Sequence, residues 1–288
     1  MKQYHDLLQT ILDTGIQQPN RTGIDTLTLP GAMLKFDLRE GFPAVTTKKL
    51  AFNTMKGELI GFMNAYDSAE RFRELGCKIW DANANKNEQW LNSEYRGGDD
   101  DLGRIYGVQW RNWRGPNGDI DQLVTAILKI KNNPTDRRII ISAWRPDEFE
   151  QMALPPCHVL YQFIADPKNN LLHLCMYQRS CDMFLGVPFN IASASLLLSI
   201  VAKLTGYEAA TFTHFLADAH IYVNHVEQVR IQLSRSEYPL PKLNIENIAY
   251  VDSSDYHFIN EAIMNIKPDD ISLLDYQHHD AIKAPMAV

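Results

Sequence analysis

Cysteine is scarce in this sequence, and no two cysteines are closely spaced. Cys77, Cys157, Cys175 and Cys181 are the only four among 288 residues. The absence of a CxxC pair excludes the common zinc-binding motifs, and four cysteines are too few for the disulfide framework of a small secreted domain. We therefore expect a reduced protein in the cytoplasm.

Glycine and proline are also infrequent, with 15 and 14 residues. These numbers exclude collagen-like and low-complexity chains. The hydrophobic fraction of 45% and the charged fraction of 22% are those of a globular protein that can bury a sizeable core. No repeat or polar linker divides the chain.

Positive charge is in deficit, because 28 Lys and Arg against 35 Asp and Glu give a formal net charge of −7. General nucleic-acid binders and membrane-surface binders are normally basic, so this balance argues against both classes. A local cluster of basic residues remains compatible with it.

Long hydrophobic runs are nearly absent. The N-terminus mixes charged and apolar residues and lacks the apolar core of a signal peptide. Residues 183–202 form one uncharged stretch long enough to span a bilayer. Because Pro188, Asn190 and three serines interrupt this stretch, we predict a helix buried in the protein core and not a membrane span.

The spacing of apolar residues predicts helices and strands without a strict β-α-β rhythm. Helices are predicted over 4–14, 52–64, 68–75, 120–131, 189–205 and 222–234. Strands are predicted over 25–38, with a Pro-Gly turn inside, and over 138–144, 157–165, 171–180 and 211–219. The polar residues 83–101 predict a long surface loop. This mixture indicates an α+β fold, and the sequence contains neither a Rossmann nor a P-loop motif.

One candidate nucleophile follows a pair of prolines. Pro155 and Pro156 stiffen the backbone directly before Cys157. This arrangement suits a nucleophile, although most cysteines are buried and inert. His158 is adjacent, but neighbouring residues on a strand point to opposite faces, so a Cys–His protease pair is not favoured.

A second cluster begins at the end of the strand predicted over 171–180. Arg179 and Ser180 could bind an oxyanion or a phosphate, and a cation near a cysteine favours the thiolate. Asn190 offers a donor and an acceptor to the edge of a polar ring. Alternatively, it only caps the helix that follows.

Further candidates lie elsewhere in the chain. Arg21 and the pair Arg137–Arg138 could bind anions, although paired arginines at a strand start are usually solvated. His220 and Tyr222 share one face of an extended segment and could hold a sugar hydroxyl, or His220 could be an ordinary core residue. Glu58 lies in an apolar helical patch, where burial would raise its pKa and let it transfer protons.

Taken in this order, the motifs resemble the thymidylate synthase family along the whole chain. The matching segments are RTG at 21–23, FP at 42–43, TTKK at 46–49, EL at 58–59, IWD at 79–81, LGRIYG at 102–107, DRR at 136–138, PPCH at 155–158, YQRSCD at 177–182, residues 184–193, DAHIY at 218–222 and IKAPMAV at 282–288. The resemblance implies one domain over 1–288 with a large mixed β-sheet flanked by helices. It also implies a homodimer that pairs sheet to sheet.

The chemistry implied by the resemblance is methylation of carbon 5 of dUMP. The family uses 5,10-methylenetetrahydrofolate as carbon donor and reductant, and it needs neither a metal nor NAD(P)H. The Cys157 thiolate would add to carbon 6 of uracil and so make carbon 5 nucleophilic. Carbon 5 would attack the folate methylene and then lose its proton. Elimination of tetrahydrofolate would leave an exocyclic methylene, and a hydride from tetrahydrofolate would reduce it to the methyl group of dTMP, giving dihydrofolate.

The resemblance also assigns roles to individual residues of this sequence. For catalysis it implies Cys157, Glu58 as organiser of water and protons, Tyr106 at the carbon 5 deprotonation, Arg179 and Asn190. For dUMP it implies Arg21, Arg179 and Ser180 at the phosphate, with Arg137 and Arg138 reaching the phosphate from the partner subunit. It further implies Asn190 at the uracil edge, His220 and Tyr222 at the deoxyribose, and Asp182 within the same site. For folate it implies Asp182 and Gly186 at the pterin, Trp80 packed against it, Lys48 near the glutamyl end, and a C-terminal tail containing Ala287 that closes over the site.

Three positions depart from the family's common pattern. Gly61 and Asn83 stand where many members have tryptophan, and Ala194 stands where tyrosine is frequent. All three border the expected folate pocket, so they bear on folate affinity and on the final hydride transfer.

Other functions agree less well with these residues than methylation of dUMP does. A dUMP hydroxymethylase on the same fold would quench the exocyclic methylene with water, but Trp80 and the complete tail favour methylation. Asn190 disfavours a dCMP hydroxymethylase, which uses a carboxylate there. An RNA-binding regulator gains no support from the net charge, and a cysteine protease would not need Asn190.

Overall fold

The computed structural model describes residues 1–285, so the predicted tail residue Ala287 lies outside the described residues. The helices are α1 (Lys2–Thr14), α2 (Phe52–Met63), α3 (Ala69–Glu74), α4 (Asp81–Asn85), α5 (Glu88–Leu91), α6 (Tyr106–Arg111), α7 (Gln122–Asn132), α8 (Gly186–Thr205), α9 (Val226–Leu233) and α10 (Tyr256–Met264). The strands are β1 (Ile16–Gln18), β2 (Thr26–Asp37), β3 (Ile140–Ser142), β4 (His158–Asp166), β5 (Leu171–Gln178), β6 (Cys181–Asp182), β7 (Glu208–Tyr222), β8 (Lys242–Ile245) and β9 (Ile271–Leu274). Short 3₁₀ turns are Leu38–Glu40, Pro146–Gln151, Val223–His225 and Pro268–Asp270.

Seven of the strands in residues 1–285 form one mixed sheet. Its order is β1-β2-β7-β5-β4-β3, with β6 paired to β7. Strand β7 is parallel to β5 and β6 and antiparallel to β2, while β4 is antiparallel to β3 and β5. The predicted α+β fold with a large mixed sheet flanked by helices is therefore confirmed.

The inner face of the sheet carries the core and packs against α8. Alternate residues on three central strands, Phe163, Leu174 and Phe212, are completely or almost completely buried. Helix α8 is the one helix among the described residues that is long and apolar enough to cross a membrane, yet 78% of that stretch is buried inside the protein. It ends at Gly206, whose φ of 79° is the left-handed conformation that glycine adopts at helix ends.

The predicted Pro-Gly turn at residues 30–31 is wrong, because β2 runs through it. Both halves of β2 pair with β7 in one register, from Leu29 opposite Ala219 to Ala32 opposite Leu216. Gly31 adopts a φ of 71° without ending the strand. A continuous partner strand thus overrides a local turn signal.

The predicted loop at 83–101 is also partly wrong, since its first part is helical. Helix α4 and helix α5 occupy this region, and Asn87 caps α5 through the Trp90 amide. The Trp90 side chain is buried, and its Nε1 donates to the Asp101 carbonyl oxygen at 2.7 Å. Burial of this one tryptophan gives the polar segment a fixed structure.

The outer face of the sheet exposes large apolar side chains. Met33, Phe215 and Tyr177 lie in one row across β2, β7 and β5, and they are 60%, 41% and 43% exposed. Ile140 and Ile164 extend this surface on β3 and β4. We refer to these five residues as the outer apolar face.

Candidate active site

Cys157 lies directly before β4 and is fixed from both sides. Its amide donates to the Tyr106 hydroxyl oxygen at 2.7 Å, and its carbonyl oxygen accepts from the Arg179 amide at 2.9 Å. The Arg179 guanidinium donates to the carbonyl oxygens of Pro155 and Pro156 at 3.0 and 2.8 Å. The Cys157 side chain remains partly exposed, so it is both held and accessible.

His158 does not act as a partner of Cys157. Its ring is buried, and its Nδ1 lies 3.2 Å from the Tyr161 hydroxyl. Burial lowers the pKa of His158 to about 4, an effect that the Asn190 side chain opposes only in part. This neutral, inward-facing histidine agrees with the predicted separation of the two side chains.

The buried rings of Tyr106 and Trp80 lie between Cys157 and Glu58. The Trp80 Nε1 donates to Glu58 Oε1 at 3.0 Å, and the Trp80 and Tyr106 ring centroids are 5.8 Å apart. Burial raises the pKa of Tyr106 well above its usual range, and the neighbouring Cys157 adds to this effect. Four segments of the chain therefore bring a thiol, a phenol, an indole and a carboxyl group to one place.

Glu58 lies in surroundings that raise the pKa of its carboxyl group. Burial raises the pKa of its carboxyl group from 4.5 to about 8, although the hydrogen bond from Trp80 acts in the opposite direction. A neutral carboxyl that ionises near neutral pH can hold and release a proton, as predicted from its apolar helix.

This pKa predicts how stability depends on pH. Because the folded-state pKa is raised, the stabilising contribution of protonated Glu58 is complete below about pH 4.5 and is lost as the pH rises toward about 8. Glu58→Gln keeps an acceptor for Trp80 but cannot ionise. We expect its free energy of unfolding, relative to wild type, to rise between about pH 5 and pH 8 by up to about 1.4 kcal/mol per pH unit. Urea unfolding at several pH values measures this difference, and parallel curves would contradict it.

The space beside Gly61 is occupied by a side chain from a neighbouring helix. A Cβ atom at Gly61 would lie 2.2 Å from Cε1 of Phe72, so the Phe72 ring occupies the space beside this glycine. Phe72 stacks on Trp80 with centroids 6.0 Å apart and meets Phe62 edge-on at 5.7 Å. Glycine in place of the family's common tryptophan therefore leaves no hole behind Trp80, because the Phe72 ring packs against Trp80 there.

Asn190 is oriented by Gln178 and His214, two residues to which the sequence motifs assign no role. Its Oδ1 accepts from Gln178 Nε2 at 3.0 Å, and Gln178 Oε1 accepts from His214 Nε2 at 2.8 Å. Burial lowers the pKa of His214 to about 3, so the ring is neutral and carries its proton on Nε2. Gln178 lies inside the YQRSCD motif, and its inward position follows from strand alternation; His214 had no local signal.

Arg21, Asp182, His220 and Tyr222 gather at the ends of β6 and β7. Asp182 pairs with His220 in the sheet, and the His220 and Tyr222 ring centroids are 5.2 Å apart. Burial raises the pKa of Tyr222, the charge of Asp182 adds to this shift, and the charge of Arg21 opposes it. A Cβ atom at Gly186 would lie 3.6 Å from both Asn190 and Asp182, which places Gly186 between them.

Lys48 lies buried against Phe184. Its Nζ is 3.6 Å from the Phe184 ring centroid and donates to the Phe184 carbonyl oxygen. Burial lowers the pKa of Lys48 to about 7, and the charge of Asp182 opposes this shift. Asp182 in turn accepts from the Phe184 amide at 3.0 Å, so Phe184 links both groups.

Arg137 and Arg138 are not brought together with this cluster in the described chain. They precede β3 at the far end of the sheet. The Arg138 Nε donates to Asp136 at 2.9 Å, and the Arg138 side chain is 83% exposed. Ser180 is near the cluster, because its carbonyl oxygen accepts from Gln178 at 2.9 Å.

Residues 1–285 contain no group of His, Cys, Asp or Glu side chains that could hold a metal ion.

Comparisons with known proteins cover the whole chain. A family model described as thymidylate synthase matches residues 2–288. The thymidylate synthase of Bordetella parapertussis is 45% identical over 327 aligned positions, covering 100% of both proteins. Those of Pseudomonas syringae pv. tomato and Symbiobacterium thermophilum are 43% and 44% identical, covering 100% and 99% of this chain and 100% and 98% of the relatives.

Proposed function

The chain belongs to the thymidylate synthase family, and we propose that the residues around Cys157 form its active site. The protein is a methyltransferase that converts dUMP to dTMP with 5,10-methylenetetrahydrofolate as carbon donor and reductant. The observation that carries the assignment of the site is the partly exposed Cys157, whose backbone is held by hydrogen bonds to Tyr106 and Arg179.

Cys157 acts as the nucleophile that adds to carbon 6 of uracil. Addition there shifts electron density to carbon 5, which then attacks the folate methylene. Tyr106, bonded to the Cys157 amide, stands next to the reacting ring and takes part in removing the carbon 5 proton. Glu58 supplies a carboxyl group with a pKa of about 8 behind Trp80, which suits it to organise water and relay protons.

The dUMP phosphate is bound by Arg21, Arg179 and Ser180. Two of the five N–H groups of Arg179 are used by the carbonyl oxygens of Pro155 and Pro156. The remaining three can meet a phosphate, which pairs well with a guanidinium. Asn190 reads the uracil edge, and His220 and Tyr222, adjacent on β7, bind the deoxyribose.

The folate lies against Trp80, next to the bound nucleotide. Trp80 is backed by Phe62 and Phe72, so it offers a rigid apolar wall. Asp182 and Gly186 contact the pterin near the start of α8, and Lys48 lies toward the glutamyl end. The C-terminal tail, including Ala287, closes over both substrates and excludes water.

The active protein is a homodimer that pairs through the outer apolar face. Met33, Phe215 and Tyr177 form a row of exposed apolar side chains in the middle of a sheet, where monomeric proteins rarely leave so many. Arg138 is largely exposed and precedes the end of β3 that pairs with Gln162, five residues after Cys157, which suits a role in the partner's phosphate site. The chain functions as one domain over 1–288 in the cytoplasm.

Shared sites predict complementation between two inactive variants. Co-expression of Cys157→Ser with the double variant Arg137→Ala/Arg138→Ala creates heterodimers with one complete site. Random pairing makes half of the dimers mixed, so we expect about one quarter of the wild-type activity. A mixture of Cys157→Ser with Glu58→Gln is the control, since both changes remove groups from the same side of the interface. Equal activity in the two mixtures would contradict a shared site.

The product distinguishes methylation from the hydroxymethylase alternative. We expect the purified protein, given dUMP and 5,10-methylenetetrahydrofolate, to release a nucleotide with one added methyl group and to convert the folate to dihydrofolate. Mass spectrometry of the nucleotide and the absorbance of dihydrofolate measure both. A hydroxymethyl product with unoxidised tetrahydrofolate would contradict the proposed closure of the site.

A further inference from the structure

Asp136 is a carboxylate that the mechanism above does not use, although it contacts Arg138 directly. It lies in the turn between α7 and β3, and its side chain is only 6% exposed. Its Oδ1 accepts from both the Arg138 amide and the Arg138 Nε, each at 2.9 Å. The carboxylate therefore fixes the backbone and the guanidinium of one arginine at the same time.

Lys129 completes this arrangement from helix α7. Its Nζ lies 3.5 Å from Asp136 Oδ2 and donates to the Arg138 carbonyl oxygen at 3.1 Å. The hydrogen bond from Arg138 lowers the pKa of Asp136 to about 2, so the carboxylate is charged in the neutral pH range. One negative group thus holds two cations and offsets their mutual repulsion.

The contact with Asp136 uses only the inner nitrogen of Arg138. Within residues 1–285, Nη1 and Nη2 make no hydrogen bond to the protein, and the side chain is 83% exposed. A guanidinium carries five N–H groups, and Nε accounts for one of them. Four donors remain for an anion outside this chain, in the fork geometry that suits a phosphate.

An Arg138 side chain without this anchor would have another place to lie. A groove of about 230 Å³ opens beside it, and the lining of this groove includes Trp113, Ile120 and Ile140. An indole ring attracts a guanidinium, and the aliphatic part of an arginine packs on apolar side chains. Removal of the Asp136 carboxylate would therefore let Arg138 turn into the groove and away from a phosphate.

We propose that Asp136 is a positioning residue for the dUMP phosphate bound in the partner subunit, and that it acts by holding the Arg138 guanidinium in place. This inference rests on the proposed role of Arg138 across the dimer. Because the orientation of Arg138 is set before dUMP arrives, less conformational freedom is lost when the phosphate binds, and the affinity is higher. Asp136 therefore affects dUMP binding and not the chemistry at Cys157.

The test compares three variants. Asp136→Ser keeps an acceptor for the Arg138 amide in the turn but is too short to reach Nε. Asp136→Asn keeps an oxygen that can accept from both groups. Asp166→Ser is the matched control, since Asp166 also lies in a turn and accepts from the Asn169 amide at 3.2 Å. The readouts are kcat, KM for dUMP and the dissociation constant of dUMP.

We expect Asp136→Ser to raise KM and the dissociation constant of dUMP about tenfold, the scale of one hydrogen bond to a charged group. The value of kcat at saturating dUMP should stay within about threefold of wild type, because the groups around Cys157 are unchanged. Asp136→Asn should keep most of the affinity, and Asp166→Ser should match wild type. A fall in kcat with an unchanged KM in Asp136→Ser would overturn the proposal.

Two mixed dimers of identical composition show whether the effect crosses the interface. The two subunits carry different affinity tags, so that the mixed dimer can be isolated after co-expression. In the first dimer, Cys157→Ser is paired with Asp136→Ser, and the one intact Cys157 receives its arginines from the subunit that retains Asp136. In the second dimer, a subunit with both changes is paired with wild type, and the intact Cys157 receives its arginines from the subunit that lacks Asp136.

We expect a wild-type KM for dUMP in the first dimer and a KM about tenfold higher in the second. A general loss of stability in Asp136→Ser would act equally in both dimers, so equal KM values would overturn the proposal. Arg138→Ala in the same two arrangements tests the shared site by itself. If Arg138→Ala distinguishes the dimers and Asp136→Ser does not, only the role of Asp136 fails. If neither change distinguishes them, the shared site fails and the role of Asp136 fails with it.

Discussion

Replacing Cys157 by serine should lower the rate of dTMP formation by at least about a thousandfold, because a serine hydroxyl is far less ionised and less nucleophilic than a thiol at neutral pH. The structure predicts that little else changes. The backbone of Cys157 makes its hydrogen bonds to Tyr106 and Arg179 whichever side chain it bears. The dUMP dissociation constant should therefore stay within about threefold of wild type, since neither Arg179 nor Asn190 moves.

Two measurements check this expectation. Turnover is followed as dihydrofolate formation, and the covalent bond is detected by the mass of the denatured protein after incubation with folate and a 5-fluorinated dUMP, whose carbon 5 cannot lose a proton. Cys175→Ser is the control, because Cys175 is also partly exposed but lies on β5 without a contact to Tyr106 or Arg179. Adduct formation by Cys157→Ser would contradict the assignment of the nucleophile. Loss of activity in a Cys175→Ser protein that remains dimeric would also contradict it; the dimer must be verified because Cys175 lies on the same face of β5 as Tyr177.

The residues proposed to contact the substrates are identified by motifs in the sequence, whereas most of the residues that hold them in place are not. Cys157, Arg179 and Asn190 stand in short motifs whose residue types carry the chemistry. Their supports come from distant parts of the chain. Gln178 reaches His214 only because β5 and β7 run parallel side by side, a pairing of strands that no local pattern specifies.

Sequence reasoning also failed where tertiary packing reverses a local signal. Gly61 stands where many family members have tryptophan, and the Phe72 ring from another helix occupies the space beside it, which the sequence around Gly61 does not indicate. Pro30 and Gly31 predicted a turn, whereas β7 holds both halves of β2 in register. The buried helix α8 was predicted correctly, because an uncharged stretch of that length has few other stable environments. Local composition thus determines burial, but the partner that completes a site depends on the topology.

The supports of Asn190 make its replacement by aspartate informative. Gln178 Nε2 donates to Asn190 Oδ1, and His214 fixes Gln178 in that orientation. An aspartate at position 190 would accept the same hydrogen bond with one oxygen, so its second oxygen would take the place of the Asn190 Nδ2 donor. Uracil presents an acceptor at carbon 4 and would face this oxygen unfavourably, whereas cytosine presents an amino group that donates to it.

Asn190→Asp should therefore shift the preference between dUMP and dCMP by roughly three orders of magnitude in kcat/KM toward dCMP, since a site built for one hydrogen-bonding pattern strongly rejects the opposite pattern. Asn190→Ala is the matched control: it removes both groups and should impair dUMP without improving dCMP. Competition between the two nucleotides, with methyl incorporation into each measured by mass spectrometry, gives the ratio directly. An unchanged ratio in Asn190→Asp would show that another group reads the base. A further change of Gln178→Glu would then be expected to matter more than Asn190 itself, because it replaces the amide that donates to residue 190 with a carboxylate that repels the aspartate, while it keeps an acceptor for His214. If the ratio shifts as expected, Gln178→Glu should weaken the new preference, because the fixed orientation of residue 190 is what aims its second oxygen at carbon 4.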